Sequence, residues 1–342
     1  MDLTTSLVSG TTFGAALAAS GMWDPSTIIS QLRLTDLHML KVFLTASSAS
    51  ALLMHILSHT NSVPKKPRTP STLGTRLPYD GNIIGGVLLG FGMALTGACP
   101  GTVLVQLVTA TQPGMYSFSG GLAGGILYAA LGSSLRRGAS CATPKQQQAL
   151  WLDQKFGVSA DVALLVYEAI CVVVVGAAMM LGPLPPAPAA EQSPFLPPIV
   201  GGLAIGAAQL VSLILRGVPV GVSTAYEDVG AKVCTLFQAR GKSAKNVLMP
   251  TPAMAFAGGV MLGAAALVRV VPKFAVAATA IGMDISPTRA VVGGLVMVFG
   301  ARLAGGCTSG HGLSGMSMLA TSSVVTVASM FAGGMGLASV LP

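Results

Sequence analysis

Charged residues are scarce in this chain of 342 residues: only 9% are Asp, Glu, Lys or Arg, whereas a soluble domain carries about 25%. Aromatic residues are also few, at 5%. So little charge excludes an ordinary soluble globular domain, because the surface of such a domain needs charged side chains. The chain is therefore expected to lie in a lipid bilayer.

Paired cysteines are missing as well. The five cysteines show no CxxC pattern and no paired spacing, and they stand at positions 99, 141, 171, 234 and 307. This argues against a disulfide framework or a zinc site, so no metal and no cofactor are expected. The absence of a GxxxxGK[ST] loop argues against ATP-driven pumping within this chain. The first residues lack a basic flank, so no cleavable signal is expected.

The net charge of +8 does not indicate a nucleic-acid partner, because the basic residues lie in short segments between apolar stretches. They are Lys65, Lys66, Arg68, Arg76, Arg136, Arg137, Lys145, Arg240, Lys242 and Lys245. Basic loops of this kind mark the cytoplasmic side of a membrane protein. They predict a cytoplasmic N-terminus in a plasma-membrane protein.

What the chain has in abundance is apolar sequence, with 52% hydrophobic residues. Several apolar runs approach the roughly 20 residues that a helix needs to cross a bilayer. The runs do not alternate polar and apolar residues as the strands of a membrane barrel would. They predict an all-α polytopic membrane protein of about nine spans. Asp24 and Pro25 are suited to cap and begin a short half-helix over residues 25–32.

One glycine-rich stretch occurs twice. Residues 85–99 read GGVLLGFGMALTGAC, and residues 293–307 read GGLVMVFGARLAGGC, at a constant offset of 208 residues. Seven of the fifteen positions are identical, including a phenylalanine and the final cysteine. This predicts an internal duplication in which each half brings one cysteine, Cys99 or Cys307, to the end of an apolar helix.

The predicted halves are residues 1–182, which include a connecting helix, and residues 199–342, with a proline-rich loop at 183–198 between them. Five predicted spans precede the second half. Because five is an odd number, the two repeats would lie in opposite orientations. Inverted repeats are a recurrent plan of transporters, in which broken helices bind the substrate near the middle of the bilayer.

Each repeated helix is predicted to break next to its cysteine. The first runs over 82–99 and stops at Pro100 and Gly101, after which a short helix begins near Thr102. The second is interrupted at 308–312. The candidate substrate-binding residues are Pro100, Gly101 and Thr102 at the first break and Thr308, Ser309, Gly310 and His311 at the second. Breaks inside a membrane are tolerated where they line a polar cavity, and free backbone N–H groups at a helix start favour an anion.

Cysteine is a weak donor with a soft, polarizable sulfur, which suits an anion that exposes a sulfur atom, such as thiosulfate. The sequence leaves three functions open. The first is uptake of a small sulfur-containing anion by a non-enzymatic transporter. The second is a membrane-embedded sulfurtransferase that forms a cysteine persulfide. The third is a water or ion channel with structural cysteines.

The segments GFGMALTGACPG and FGARLAGGCTSGHGLSG resemble the two signature segments of the YeeE/YedE family of sulphur-transport membrane proteins. The resemblance implies thiosulfate uptake through an hourglass-shaped helical protein. It also implies that Cys99 and Cys307 hand the ion along by weak sulfur-centred hydrogen bonds. Related bacterial sequences carry a further cysteine in the first helical segment, where this chain has Ser20, Gly21 and Met22. A cytoplasmic protein that accepts sulfur is a candidate partner.

Three further residues remain candidates for the site. Arg302 lies five residues before Cys307 and could attract the anion, or pair with Glu168, Glu227 or Asp228 to join helices. His311 could donate to the substrate or pack as a satisfied histidine. Cys234 could stand in for the cysteine that the first segment lacks.

Overall fold

The computed structural model describes residues 2–60, 69–75, 77–135, 150–181, 195–238, 249–274 and 285–341. In chain order the helices are α1 (Leu3–Ser20), α2 (Pro25–Leu32), α3 (His38–His59), α4 (Asp80–Thr96), α5 (Thr102–Val108), α6 (Gln112–Leu135), α7 (Leu152–Phe156), α8 (Ala160–Met180), α9 (Pro198–Arg216), α10 (Ser223–Gln238), α11 (Pro252–Val270), α12 (Pro287–Ala304), a π-helix (Thr308–Gly315) and α13 (Thr321–Ala338).

Six helices within the described ranges are long and apolar enough to cross a bilayer, namely α3, α8, α9, α11, α12 and α13. This confirms the all-α polytopic membrane class. The total of nine spans stays a prediction. So does the orientation, because all ten loop cations fall outside the described residues, as do Cys141 and most of the proline-rich loop.

The predicted half-helix after the first apolar segment is confirmed. It is α2, which begins at Pro25, and the side chain of Asp24 accepts a hydrogen bond from the backbone N–H of Ser26 at 2.9 Å. Proline is tolerated here because the first N–H of a helix has no partner within the helix.

Helices α4 and α12, which carry the repeated sequence, pack against each other through glycine. A Cβ added to Gly300 would lie 2.7 Å from the Gly85 carbonyl oxygen, and one added to Gly293 would lie 3.3 Å from the Gly92 carbonyl oxygen. Early residues of one helix thus face late residues of the other, so the two helices run antiparallel. The offset of 208 residues exchanges the two contacts, which is the geometry that an inverted repeat requires. The duplication and the two predicted halves remain interpretations.

Small residues also bring α1 against α11. A Cβ on Gly14 would lie 2.0 Å from the Val260 carbonyl oxygen, and one on Gly259 would lie 2.2 Å from the Leu7 carbonyl oxygen. The backbones therefore touch directly, as small residues allow in bilayer helices. Helices α9 and α3 pack in the same manner, with Gly202 against Val42.

Two adjacent glycines of α11 offer a test of this packing. Gly259→Ala is expected to destabilise the protein by about 1–3 kcal/mol, because its methyl group would overlap the α1 backbone. Gly258→Ala is expected to be neutral or slightly stabilising, since nothing lies within 4 Å of its Cβ and alanine favours a helix. Thermal unfolding of the two variants in mild detergent measures the difference. Equal stabilities would contradict the direct backbone contact.

Candidate functional site

The first repeated helix ends three residues earlier than predicted. Helix α4 stops at Thr96 because Gly97 adopts a left-handed conformation, with φ of 59°, which glycine accepts without strain. Cys99 follows in a non-helical link. The predicted short helix after the break is confirmed as α5, beginning at Thr102.

The second repeated helix ends in the same way, at Gly305 with φ of 87°. The prediction of an interruption at 308–312 was wrong. The gap is the preceding segment, 305–307, and the residues from Thr308 to Gly315 form a π-helix. A glycine with positive φ ends the helix, whereas the polar sequence after it returns to helical structure. Both cysteines thus occupy the same place, two residues beyond a left-handed glycine.

A small buried cavity lies between the two breaks. Its volume of about 30 Å³ exceeds the minimum that a water molecule needs. Its walls combine Cys99, Gly101, Thr102, Thr308 and Ser309 with the apolar residues Phe13, Leu17, Met22, Phe43, Ala46, Ile205 and Leu313. The cavity therefore joins both breaks and is suited to a solute of a few atoms.

Hydrogen bonds fix the first break. The backbone N–H of Cys99 donates to the Thr102 hydroxyl at 2.7 Å, and the backbone N–H of Thr102 lies 3.4 Å from the Cys99 sulfur. The Tyr226 hydroxyl donates to the Pro100 carbonyl at 3.0 Å. Helix α10, which carries Tyr226, thus supports this break from the other half of the chain.

The second break surrounds Cys307, which is 1% exposed. Its sulfur lies 3.2 Å from the Ser309 hydroxyl. It is also within hydrogen-bonding reach of the Gly310 backbone, the Val222 backbone and the Ser223 hydroxyl. Cys307 therefore does not line the cavity itself but contacts Ser309, which does. Groups of the π-helix and of the start of α10 surround its sulfur.

The two cysteines approach each other across Gly101. A Cβ placed on Gly101 would lie 3.8 Å from the Cys99 sulfur and 3.5 Å from a methyl carbon of Val222, whose backbone faces Cys307. Both thiols thus lie in a largely apolar part of the protein, where an S–H group is a weak donor.

His311 lies behind the site and uses both ring nitrogens on protein groups. Nδ1 lies 2.9 Å from the Ser323 hydroxyl, and Nε2 lies 3.1 Å from the Ala304 carbonyl oxygen. The ring is 2% exposed and joins the end of α12 to α13. This geometry favours the packing alternative for His311 over donation to a substrate.

Arg302 forms an ion pair with Glu227 of α10, one of the three partners predicted from the sequence. Its guanidinium also lies 3.4 Å from the Ser223 hydroxyl and 3.3 Å from the Thr224 hydroxyl. Arg302 is 12% exposed and is absent from the cavity wall. These contacts join α12 to α10 beside the second break.

Cys234 lies away from the two breaks. It sits eleven residues after Ser223, the start of α10. At 1.5 Å per residue this is about 16 Å along the helix. Its sulfur lies 3.9 Å from the Ile126 carbonyl oxygen of α6. The structure therefore does not bring Cys234 together with Cys99 and Cys307.

The sequence did not identify the part of the site that comes from other helices. Met22, one of the three residues in the neighbourhood where the family resemblance implied a further cysteine, lines the cavity with a thioether. Val222, Ser223 and Tyr226 belong to the polar stretch GVSTAYEDVGAK, whose composition within an apolar region was the available signal. Phe13 and Ile205 gave no signal, because apolar wall residues look like any core residue.

Helix breaks around an internal cavity, in an all-α polytopic protein, are typical of a membrane transporter. Residues 5–336 match the model of the sulphur transport family, so the chain belongs to that family, and the resemblance to YeeE/YedE proteins is confirmed. Two proteins of Xylella fastidiosa, from strains Temecula1 and 9a5c, are each named "Probable transporter" and are 32% and 31% identical over 145 residues. The match covers 91% of each relative and 42% of this chain.

Proposed function

We propose that this protein takes up thiosulfate, or a closely similar small sulfur-containing anion, across the plasma membrane. The observation that carries the proposal is the cavity that gathers Cys99, Thr102, Thr308 and Ser309 from the two helix breaks. Residues of both predicted repeats line it together, as expected for a substrate site on the pseudo-symmetry axis of a transporter.

The residues around the cavity carry two kinds of donor. The hydroxyls of Thr102, Thr308 and Ser309 lie against protein groups, namely Cys99, the sulfurs of Met93 and Met330, and Cys307. We propose that they turn to the oxygen atoms of a bound oxyanion, which are stronger acceptors than sulfur. The thiol of Cys99 on the cavity wall suits its terminal sulfur, because S–H is a weak donor and sulfur is polarizable. We propose that the thiol of Cys307, which adjoins the wall residue Ser309, is reached in a second step. A sulfate ion would match only the first kind. We therefore expect the cysteines to provide the preference for thiosulfate.

The walls decide how strongly these donors act. Phe13, Leu17, Phe43 and Ile205 exclude water, and a hydrogen bond is electrostatically stronger in such surroundings than in water. Weak S–H hydrogen bonds would contribute little in water, but they contribute to binding of the ion in this apolar cavity. Met22 adds a polarizable surface without a donor, so we propose a relay of two cysteines rather than three.

The sulfurtransferase alternative requires an activated thiolate and a base. His311 is the base candidate from the sequence, and its ring nitrogens face Ser323 and Ala304 instead of a cysteine. This supports transport without a covalent step, and we propose that the protein is not an enzyme. A persulfide mass shift on Cys99 or Cys307 after exposure to thiosulfate would favour the alternative.

The test is thiosulfate-dependent growth of an uptake-deficient, sulfur-auxotrophic host that expresses the full chain. We expect growth on thiosulfate and none on an equal concentration of sulfate, and uptake of labelled thiosulfate into proteoliposomes. The controls are the same host carrying an empty vector and liposomes without protein, which measure leak of the ion. Failure to rescue growth and to load proteoliposomes, despite normal membrane abundance, would overturn the proposal.

The wider arrangement also belongs to the proposal. We infer two inverted repeats, residues 1–182 and 199–342, in an hourglass-like shape with a cytoplasmic N-terminus. The two Xylella relatives match this chain over 91% of their own length, yet the match covers only 42% of this chain. This difference in length is consistent with a duplicated chain. A cytoplasmic protein that accepts sulfur would remove the ion and keep uptake running inward.

A further inference from the structure

A cluster of metal-ligating side chains lies outside the cysteine site, where α3 ends and α8 begins. The Nε2 atoms of His55 and His59 lie 3.1 Å and 3.7 Å from the same oxygen, Oδ1 of Asp161. We propose that these three side chains bind a zinc ion. The cysteine spacing could not reveal such a site, because it contains no cysteine.

The backbone geometry is what places the three ligands together. His55 and His59 are four residues apart on α3, so their side chains project from the same face of the helix. Asp161 lies in the first turn of the neighbouring helix α8. All three ligand atoms fall within 4.8 Å of one another. Donors at about 2.0–2.2 Å from a tetrahedral zinc ion are roughly 3.3–3.6 Å apart, which is within about 0.2 Å of the two distances to Asp161.

A simple hydrogen-bonded cluster is the competing explanation. Two observations favour the metal. Both Nε2 atoms face the same carboxylate oxygen, and the ring centroids are only 4.4 Å apart, so one divalent ion between them would join all three groups. His59 and Asp161 are 65% and 67% exposed, which leaves room for a water molecule as fourth ligand.

Zinc at this place would fix α8 to α3. Further along the same interface, the Tyr167 hydroxyl of α8 lies 2.6 Å from the Ser47 hydroxyl of α3. Ser47 donates in turn to the Gly312 carbonyl of the π-helix at 3.0 Å. Metal binding would thus strengthen the α3–α8 contact behind the cysteine-bearing segment.

Zinc titration of the EDTA-treated full chain in detergent tests the proposal. We expect one zinc ion per chain, a higher unfolding temperature, competition by Co²⁺ with visible absorption bands of a tetrahedral site, and no effect of Mg²⁺ or Ca²⁺, which prefer oxygen ligands. His55→Ala, His59→Ala and Asp161→Asn are each expected to weaken binding at least about tenfold. Their unfolding temperatures in EDTA show that they are folded.

Two control variants make the result decisive. His38→Ala removes a histidine outside the cluster and is expected to leave zinc binding unchanged. The double variant Cys99→Ala/Cys307→Ala removes the thiols that could also bind zinc, and is expected to retain the site. Loss of zinc binding in the double variant, or unchanged binding in the three cluster variants, would reduce the cluster to a hydrogen-bonded ion pair. Neither outcome depends on thiosulfate uptake.

Discussion

Cys307→Ala is expected to lower thiosulfate uptake by roughly 5- to 150-fold. The substitution removes one of the two thiols that we propose to contact the ion, beside the Ser309 hydroxyl at 3.2 Å. Losing a hydrogen bond to a charged ligand costs about 1–3 kcal/mol, which corresponds to this range. Cys99→Ala is expected to act in the same direction, because Cys99 lines the cavity itself.

Two other cysteines of the chain are matched controls. Cys171 lies on α8 and Cys234 lies far along α10, so alanine at either position is expected to leave uptake near the wild-type value. Labelled thiosulfate uptake into proteoliposomes, normalised to the amount of folded protein, measures all four variants. Wild-type uptake by both Cys99→Ala and Cys307→Ala would remove the cysteines from the mechanism while leaving transport intact.

A serine in place of Cys307 separates hydrogen bonding from sulfur chemistry. Serine keeps a donor beside Ser309 but replaces the soft sulfur with a hard oxygen. We expect Cys307→Ser to fold as well as the wild type and to transport thiosulfate less well, with a smaller loss than alanine causes. Equal transport by serine and cysteine would show that any donor suffices at this position.

Much of the fold could be predicted from local sequence. The length of the apolar runs predicted membrane-spanning helices, and Asp24 followed by Pro25 predicted the start of α2. The helix ends were harder, because glycine both packs helices and terminates them. Gly92 is a packing glycine within α4, whereas Gly97 ends the same helix, and nothing in their local sequence distinguishes the two roles.

The candidate site could be predicted only in part, for a related reason. Its cysteines lie in repeated segments, so an internal comparison identified them. The rest of the site depends on contacts between distant parts of the chain. Tyr226 reaches the Pro100 carbonyl across 126 residues, and Ser47 reaches Gly312 across 265. Such pairs have no local pattern. The zinc ligands similarly come from two helices that are separated by about 100 residues of sequence.

Removing either member of the Arg302–Glu227 pair is expected to destabilise the protein strongly. Breaking a buried ion pair costs roughly 3–5 kcal/mol, because the remaining charge is left without its partner in a medium of low polarity. Glu227 is 32% exposed, so the lower end of this range is expected for Arg302→Gln and for Glu227→Gln. The double variant is expected to lose less than the two single variants combined. Unfolding of all four proteins in mild detergent measures this coupling.

Uptake by the same variants distinguishes the two roles of Arg302. If the arginine attracted the anion, Glu227→Gln would release its charge and lower the KM for thiosulfate, whereas Arg302→Gln would raise it. The structure gives a different expectation, because Arg302 contacts Ser223 and Glu227 and does not line the cavity. Both single variants should then lose stability to a similar degree while the KM of the folded fraction stays unchanged. Opposite shifts in KM for the two single variants would show that Arg302 takes part in binding thiosulfate.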